Sequence, residues 1–168
     1  RDPLTNIIKS VQDVLAKKGK KPLFVKTTVD LALEDLDTVL AVCVEENVDG
    51  VIDTNITIED SIKAKYGWQG EMGGVSGNDD EYRKKATERM RYITRQTAGT
   101  SLQRIGVGAI HDADSALERI RAGAQVVQVV TGIRQHKGRI ARSINLGLLE
   151  RMNQDGVNQV SDYVATAA

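Results

Sequence analysis

The sequence predicts an α/β fold, one half of a β/α TIM barrel built from four parallel strands that are each followed by a helix. Four short apolar runs rich in β-formers predict it: Lys21-Pro22-Leu23-Phe24-Val25-Lys26, Asp49-Gly50-Val51-Ile52-Asp53-Thr54-Asn55, Arg104-Ile105-Gly106-Val107-Gly108-Ala109 and Gln125-Val126-Val127-Gln128-Val129-Val130-Thr131. Each run ends in a polar or glycine-rich tip, and a stretch of helical periodicity follows each one. At 168 residues the chain reads as one domain, 1–168, well short of the roughly 250 residues of a complete barrel.

Each element has a local cause. Leu4, Ile7, Ile8, Val11, Val14 and Leu15 recur at three- and four-residue steps and mark an amphipathic helix, with Asp2-Pro3 at its start and Gly19 at its end. After the first strand, Leu33, Leu36, Leu40 and Cys43 or Val44 draw a second helical stripe up to Glu46. The second strand is expected from about Gly50 to Asp53. Its continuous apolar run suggests burial on both faces, as in a parallel sheet.

A long connection then spans Asn55 to roughly Asp79, punctuated by Gly67, Gly70, Gly73, Gly74 and Gly77. Loops of that length inside a domain are usually functional or disordered. Tyr82, Ala86, Met90 and Ile93 stripe the next helix, whose other faces hold Arg83, Lys84, Lys85, Arg89, Arg91 and Arg95. With balanced charge overall, those cations read as a solvated helix face rather than a nucleic-acid patch; docking onto an anionic protein fits the same residues. Asp112 or Asp114 can cap the short helix carrying Ala116, Leu117 and Ile120, and Ala122-Gly123-Ala124 turns into the fourth strand. Ile140, Ile144, Leu148 and Met152 stripe the last helix, which ends at Gly156, and a short amphipathic tail runs from Val160 to Val164.

Composition narrows the function classes. The formal net charge is zero, so nothing in the overall balance calls for nucleic acid or an acidic membrane. The single cysteine, Cys43, excludes an internal disulfide and reads as a small buried hydrophobe on a helix face. His111 and His136 have no Cys, Asp or Glu at ligand spacing that would make a metal site. No apolar run approaches the roughly 20 residues of a membrane span. The chain opens at Arg1 without a methionine, and the expectation is a processed or partly represented protein, from which a leader could have been lost.

In a β/α barrel the working residues lie at the C-terminal ends of the strands. Those tips read Lys26, then Thr54-Asn55-Ile56-Thr57, then Gly106-Val107-Gly108-Ala109, then Thr131-Gly132. The glycine-rich turns late in the chain suit a phosphate, although a tight strand-to-helix turn would look the same. Lys26 either meets an anionic partner inside the barrel or snorkels to its mouth. Asn55 either hydrogen-bonds a ligand or ties down the loop that follows it.

At these tips the chain resembles a known family. Val25-Lys26, Val48-Asp49-Gly50-Val51-Ile52 with Thr54-Asn55, Gly73-Gly74-Val75-Ser76-Gly77, Ile105-Gly106-Val107-Gly108, the segment Ala116 to Ala124, and Val127-Gln128 resemble dihydroorotate dehydrogenase. Their order and spacing are most similar to its class 2, quinone-linked, membrane-associated branch, and the resemblance runs through the tail to Asp162. It implies a barrel that carries FMN and oxidises dihydroorotate to orotate in pyrimidine biosynthesis. By position, Lys26 would touch the flavin ring, and Thr54, Ser76 and Gly77 would line the cofactor site. Gly108, Ala109, Val130 and Thr131 would cradle the phosphate, and Asn55 would bind orotate.

Departures from the family pattern temper this. Ile56 stands where a substrate-contacting threonine is usual, Ala109 where a second glycine is usual, and Val130 where a tyrosine is common. The family's base, a serine in this branch, would lie upstream of Arg1, so no catalytic residue is assigned in this chain. A four-stranded piece of a closed barrel also exposes two strand edges and a face made to be covered. The expectation is therefore a divergent, non-catalytic subunit of a larger hetero-assembly, with another chain completing the half barrel. Family resemblance would place it in the mitochondrion, at the inner membrane or on its matrix side, with only indirect membrane association. The alternative is the C-terminal part of a split or cleaved FMN-dependent dehydrogenase whose base lies on another chain.

Overall fold

A computed structural model of the chain describes residues 1–19 and 21–166. In order these form α1 (Asp2–Lys18), β1 (Phe24–Thr28), α2 (Leu33–Glu45), β2 (Gly50–Asn55), α3 (Asp60–Ala64), α4 (Asp80–Gln96), β3 (Gln103–Val107), α5 (Ala113–Arg121), β4 (Val126–Gln128), α6 (Thr131–His136) and α7 (Ile140–Asp155). A 3-10 turn, Val160–Tyr163, follows. The four strands pair in sequence order, β1-β2-β3-β4, and every pairing is parallel. This is the expected α/β half barrel, with the second strand two residues longer than its apolar run suggests. The long connection after β2 is not shapeless: it contains α3, and Thr57 pairs with Val75 in an antiparallel bridge.

Local chemistry sets several boundaries. Asp79 caps α4 by accepting from the Tyr82 N–H at 2.9 Å. Asp112, one of the two expected caps, starts α5 with a reciprocal capping box to Ser115. Gly156 takes φ 67° to end α7, the left-handed geometry that favours glycine.

The core lies between the sheet and the helices on one of its faces. Val51 packs there with Leu36, Leu40, Cys43, Ile93 and Leu102. A second cluster joins Leu117 and Ile120 to Ile140, Ile144, Leu148 and Tyr163. The α4 stripe is buried as expected, with Tyr82, Ala86, Met90 and Ile93 all inaccessible. In α1, by contrast, only Ile8 is fully buried, while Ile7, Val11 and Val14 face outward.

The opposite sheet face departs from the expectation of strands buried on both sides. Lys26, Ile52, Ile105 and Val126 fall in one register row across the four strands. Lys26 is exposed, Ile52 and Ile105 are half-buried, and Val126 is 55% exposed. No element covers that row among the described residues, and β1 and β4 each keep one unpaired edge. This is the face that points inward in a barrel wall, and apart from Lys26 the row is apolar.

One helix residue also departs from its sequence reading. Arg89 does not belong to a solvated face: it is 6% exposed, and its Nε lies 3.0 Å from Asp53 Oδ1 at the tip of β2. The same carboxylate oxygen accepts from the Thr27 hydroxyl at 2.6 Å, and Arg89 Nη1 donates to the Leu31 carbonyl at 2.6 Å. Burial pushes the Asp53 carboxyl up, while Thr27 and Arg89 pull it back. Removing one partner of such a pair strands an uncompensated charge. Arg89→Met should therefore cost about 3 to 5 kcal/mol in urea unfolding. The double variant Arg89→Met/Asp53→Asn should cost clearly less than the sum of the single changes, and simple additivity would refute the coupling.

Cys43 is fully buried in the first cluster, and burial pushes its thiol up to about 11. The folded protein should resist alkylation at pH 8 and react only once unfolded, as mass spectrometry would show.

Candidate functional site

The C-terminal tips of β1, β2, β3 and β4 surround a cavity of about 280 Å³. All nine residues singled out from the sequence line it: Lys26, Thr54, Asn55, Ser76, Gly77, Gly108, Ala109, Val130 and Thr131. They come from four strand ends and from a loop more than 20 residues past β2, so only the fold could bring them together.

The strand tips hold them from below. Lys26 ends on the uncovered sheet face with its side chain exposed, and it makes no ion pair among the described residues. It lines the cavity as an exposed cation on that uncovered face. Thr54 is 1% exposed, and its hydroxyl oxygen is buried without a hydrogen-bond partner. An orphaned buried hydroxyl at a cavity wall is matched by a ligand that supplies its partner.

The third tip is shaped by Tyr82, a residue the sequence reading assigned only to the α4 stripe. Its hydroxyl donates to the Asn55 carbonyl at 2.8 Å. The same oxygen would lie 2.3 Å from a β-carbon placed on Gly108, whose φ is +92°. Glycine is thus required there twice, by backbone conformation and by the tyrosine above it. Ala109 follows with φ 51°. Its methyl is 3% exposed and packs with Ile62 and Tyr82, so alanine keeps the glycine-type turn and buries its extra carbon in a small cluster. Beneath the turn, the buried Arg119 donates to the carbonyls of Val107 at 2.9 Å and Gly108 at 3.2 Å.

The loop closes the site from above. Asp30 accepts from the Thr57 hydroxyl at 2.6 Å and the Ile58 N–H at 2.7 Å, tying the loop's start to the β1 tip. Its far end places the Ser76 hydroxyl 3.4 Å from that of Thr131. A β-carbon on Gly77 would come within 3.3 Å of the Thr131 methyl. Ile56 also lines the cavity and brings no polar atom on its side chain. Gln128 and Tyr82, both lining, were not singled out as site residues. Inward alternation on β4 could have marked Gln128; nothing local marks Tyr82.

The chemistry of the lining is specific. Among the described residues Lys26 is its only charged side chain, and its hydroxyls are Thr54, Ser76, Thr131 and Tyr82. Burial pushes the Tyr82 phenol well above its usual range, so it remains a donor. Histidine and carboxylate side chains do not line the cavity among the described residues. Nor does any group of three or more His, Cys, Asp or Glu there stand close enough to hold a metal ion. The arrangement can bind and orient an anionic, hydrogen-bonding ligand.

Comparison with known proteins gives a consistent result. Residues 3–152 match the family model described as Dihydroorotate dehydrogenase. Curated relatives include "Dihydroorotate dehydrogenase (quinone)" from Halobacterium salinarum, 34% identical over 98% of this chain and 44% of the relative. The protein of the same name from Natronomonas pharaonis is 37% identical over the same shares. Among solved structures, DHODH from Eimeria tenella in complex with ferulenol superimposes with a TM-score of 0.87 at 31% identity, over 99% of this chain and 48% of that one. The chain thus spans less than half the length of the curated relatives it matches.

The close approach at the third tip is directly testable. Gly108→Ala adds a methyl against the Tyr82 ring in a backbone region that disfavours it, and should cost at least about 2 kcal/mol by chemical denaturation. Combining it with Tyr82→Phe, which removes the nearest atom, should recover part of the loss. No recovery would mean that the tyrosine does not set the turn.

Proposed function

The chain belongs to the dihydroorotate dehydrogenase family, and from that premise we propose that it forms the cofactor-holding half of an FMN-dependent dihydroorotate-oxidising barrel. The observation that carries this reading is the convergence of Lys26, Thr54, Ser76, Gly77, Gly108, Ala109, Val130 and Thr131 on one cavity. The residues fit FMN on their own terms. The Thr54 hydroxyl is buried and unpartnered, the Gly108 turn admits no side chain, and the Lys26 ammonium is free. When bound, FMN supplies the two-electron acceptor that oxidation of dihydroorotate to orotate requires. A quinone would take the electrons onward, as the names of the curated relatives state for those proteins.

In this proposal the chain's own residues bind and position. Lys26 offers positive charge to the ring system, Thr54 and Ser76 offer hydroxyls, and the Gly108-Ala109 and Val130-Thr131 turns offer backbone to the phosphate. Asn55, exposed at the end of β2 with its carbonyl fixed by Tyr82, presents its amide to substrate. The base that removes the substrate proton comes from the complementary half of the barrel, which also covers the Ile52, Ile105 and Val126 row.

One observation favours a second reading, a non-catalytic subunit of a larger assembly, such as a mitochondrial one. Ile56 lines the cavity beside Asn55 without a polar atom to offer substrate. Anaerobic addition of dihydroorotate to the FMN-loaded assembly, with the complementary half of the barrel present, distinguishes the two, because bleaching of the flavin absorbance requires a working substrate site and its base.

The first reading is checked by titration. FMN fluorescence should be quenched at one flavin per chain, and Thr54→Val should weaken binding roughly fivefold, the worth of one neutral hydrogen bond. Absence of quenching would sink the proposal.

A further inference from the structure

Net charge conceals how this chain distributes its charges. From residue 119 to residue 149 there is no Asp or Glu, while Arg119, Arg121, Arg134, Lys137, Arg139 and Arg142 all fall in that span. Arg119 is buried on backbone carbonyls, and Arg121 meets Asp155 at 3.3 Å. The other four are exposed, and none of them meets a carboxylate among the described residues. Elsewhere the cations of Arg1, Lys9, Lys63, Lys65, Arg83, Lys85, Arg89 and Arg151 are paired. Lys17, Lys18, Lys21, Lys26, Lys84 and Arg95 also make no ion pair among the described residues; what sets the four apart is that they all fall within residues 134–142, directly after a strand tip that lines the cavity.

Their place in the fold ties them to the cavity. Thr131, which lines it, opens α6, and Arg134 follows within one helical turn. Lys137 and Gly138, at φ 47° and 78°, reverse the chain. The start of α7 then packs back onto α6: a β-carbon on Gly132 would lie 2.1 Å from Ile140 Cδ1. That contact brings the start of α7 against the residue after Thr131; Arg139 immediately precedes Ile140 in the chain, and Arg142 follows it by two residues.

We propose that Arg134, Lys137, Arg139 and Arg142 form an electrostatic collar that draws a phosphate-bearing flavin into the cavity. This rests on the function proposed above. Solvated charges are screened over about 8 Å at physiological ionic strength, so the collar acts on encounter rather than on the bound state. Segment 126–149 contains no Phe, Tyr or Trp, so the patch lacks the stacking surfaces that single-stranded nucleic acid uses. Lys26, inside the same cavity, continues the positive path inward.

The test is stopped-flow mixing of the flavin-free protein with FMN or with riboflavin, which is the same ring system without the phosphate. Replacing Arg134, Lys137, Arg139 and Arg142 together by Gln should slow FMN association about tenfold at low salt. The same variant should flatten the salt dependence of that rate, leave FMN dissociation nearly unchanged and leave riboflavin association unaffected. An unchanged FMN association rate overturns the collar, as does an equal slowing of riboflavin, which would mean that the patch acts through the fold. Wild-type protein that binds neither flavin removes the functional reading and the collar together, whereas normal FMN affinity with an unaltered rate removes the collar alone.

Discussion

The cavity depends on a buried charge cluster on the far side of the strand tips. Asp53 is fully inaccessible and lies among Thr27, Arg89 and, further off, Arg119. Through Thr27 it fixes the tip of β1; through Arg89, which also holds the Leu31 carbonyl, it fixes the start of the β1–α2 connection. Arg119 completes the set by holding the carbonyls of Val107 and Gly108. Three strand ends are thus located by side chains from α4 and α5. Apolar packing alone would not do this, because it fixes how far helices stand from a sheet more tightly than where a strand tip points. The cluster is not fully satisfied: Asp53 Oδ2, Arg89 Nη2 and Arg119 Nε lack protein partners, and buried groups of this kind are commonly joined by internal water.

The two faces of the sheet follow different logics. Toward the helices, Val25, Val51 and Val127 meet closed apolar clusters. Toward the barrel axis, Ile52, Ile105 and Val126 belong to no cluster among the described residues. At about 25 cal/mol per Å² of apolar surface, leaving such a row uncovered forfeits stabilisation and exposes strand edges to mispairing. The helix-side core is continuous enough to shape the tips even so. Shaping the cavity and closing a barrel are therefore separable demands on this sequence.

Much of this was legible in the sequence because it was periodic or punctuated. The strands announced themselves by apolar runs with glycine-rich ends, and α4 by Tyr82, Ala86, Met90 and Ile93. The candidate site was legible because tip residues of successive parallel strands must converge at one end. What escaped was three-dimensional pairing. Arg89 lies among five other cations in the α4 sequence, and only the fold reveals that it alone turns inward to Asp53. Tyr82 fits a core stripe and is buried like one, yet its hydroxyl decides the distance between the β2 and β3 tips. The long loop read as open chain because its order comes from distant partners: Asp30 on Thr57 and Ile58, Lys85 on Glu59, and Lys65 on Glu81. Periodicity reports which face is apolar and is silent about which polar residue crosses it.

Charge shows the same division between what a sequence sums and what a structure uses. Residues 27–62 contain ten acidic side chains and no Lys or Arg, the mirror image of residues 119–149. The acidic stretch is largely occupied with structure: Asp30 clamps the loop, Asp37 accepts from Tyr92, Asp49 accepts from the Leu23 N–H, Asp53 anchors the tips, and Glu45, Glu46 and Glu59 are in ion pairs. The ion-paired ones contribute little field beyond their own neighbourhood, whereas Asp30, Asp37 and Asp49 keep their charge, since a neutral donor does not cancel it. The basic stretch between α6 and α7 has no comparable task, so its charge reaches solvent uncompensated. A zero net charge therefore coexists with a run of exposed cations at residues 134–142, which follows directly on a strand tip of a cavity lined by Lys26. In the proposed reading, the field that an anionic ligand meets at this cavity comes from Lys26 together with Arg134, Lys137, Arg139 and Arg142.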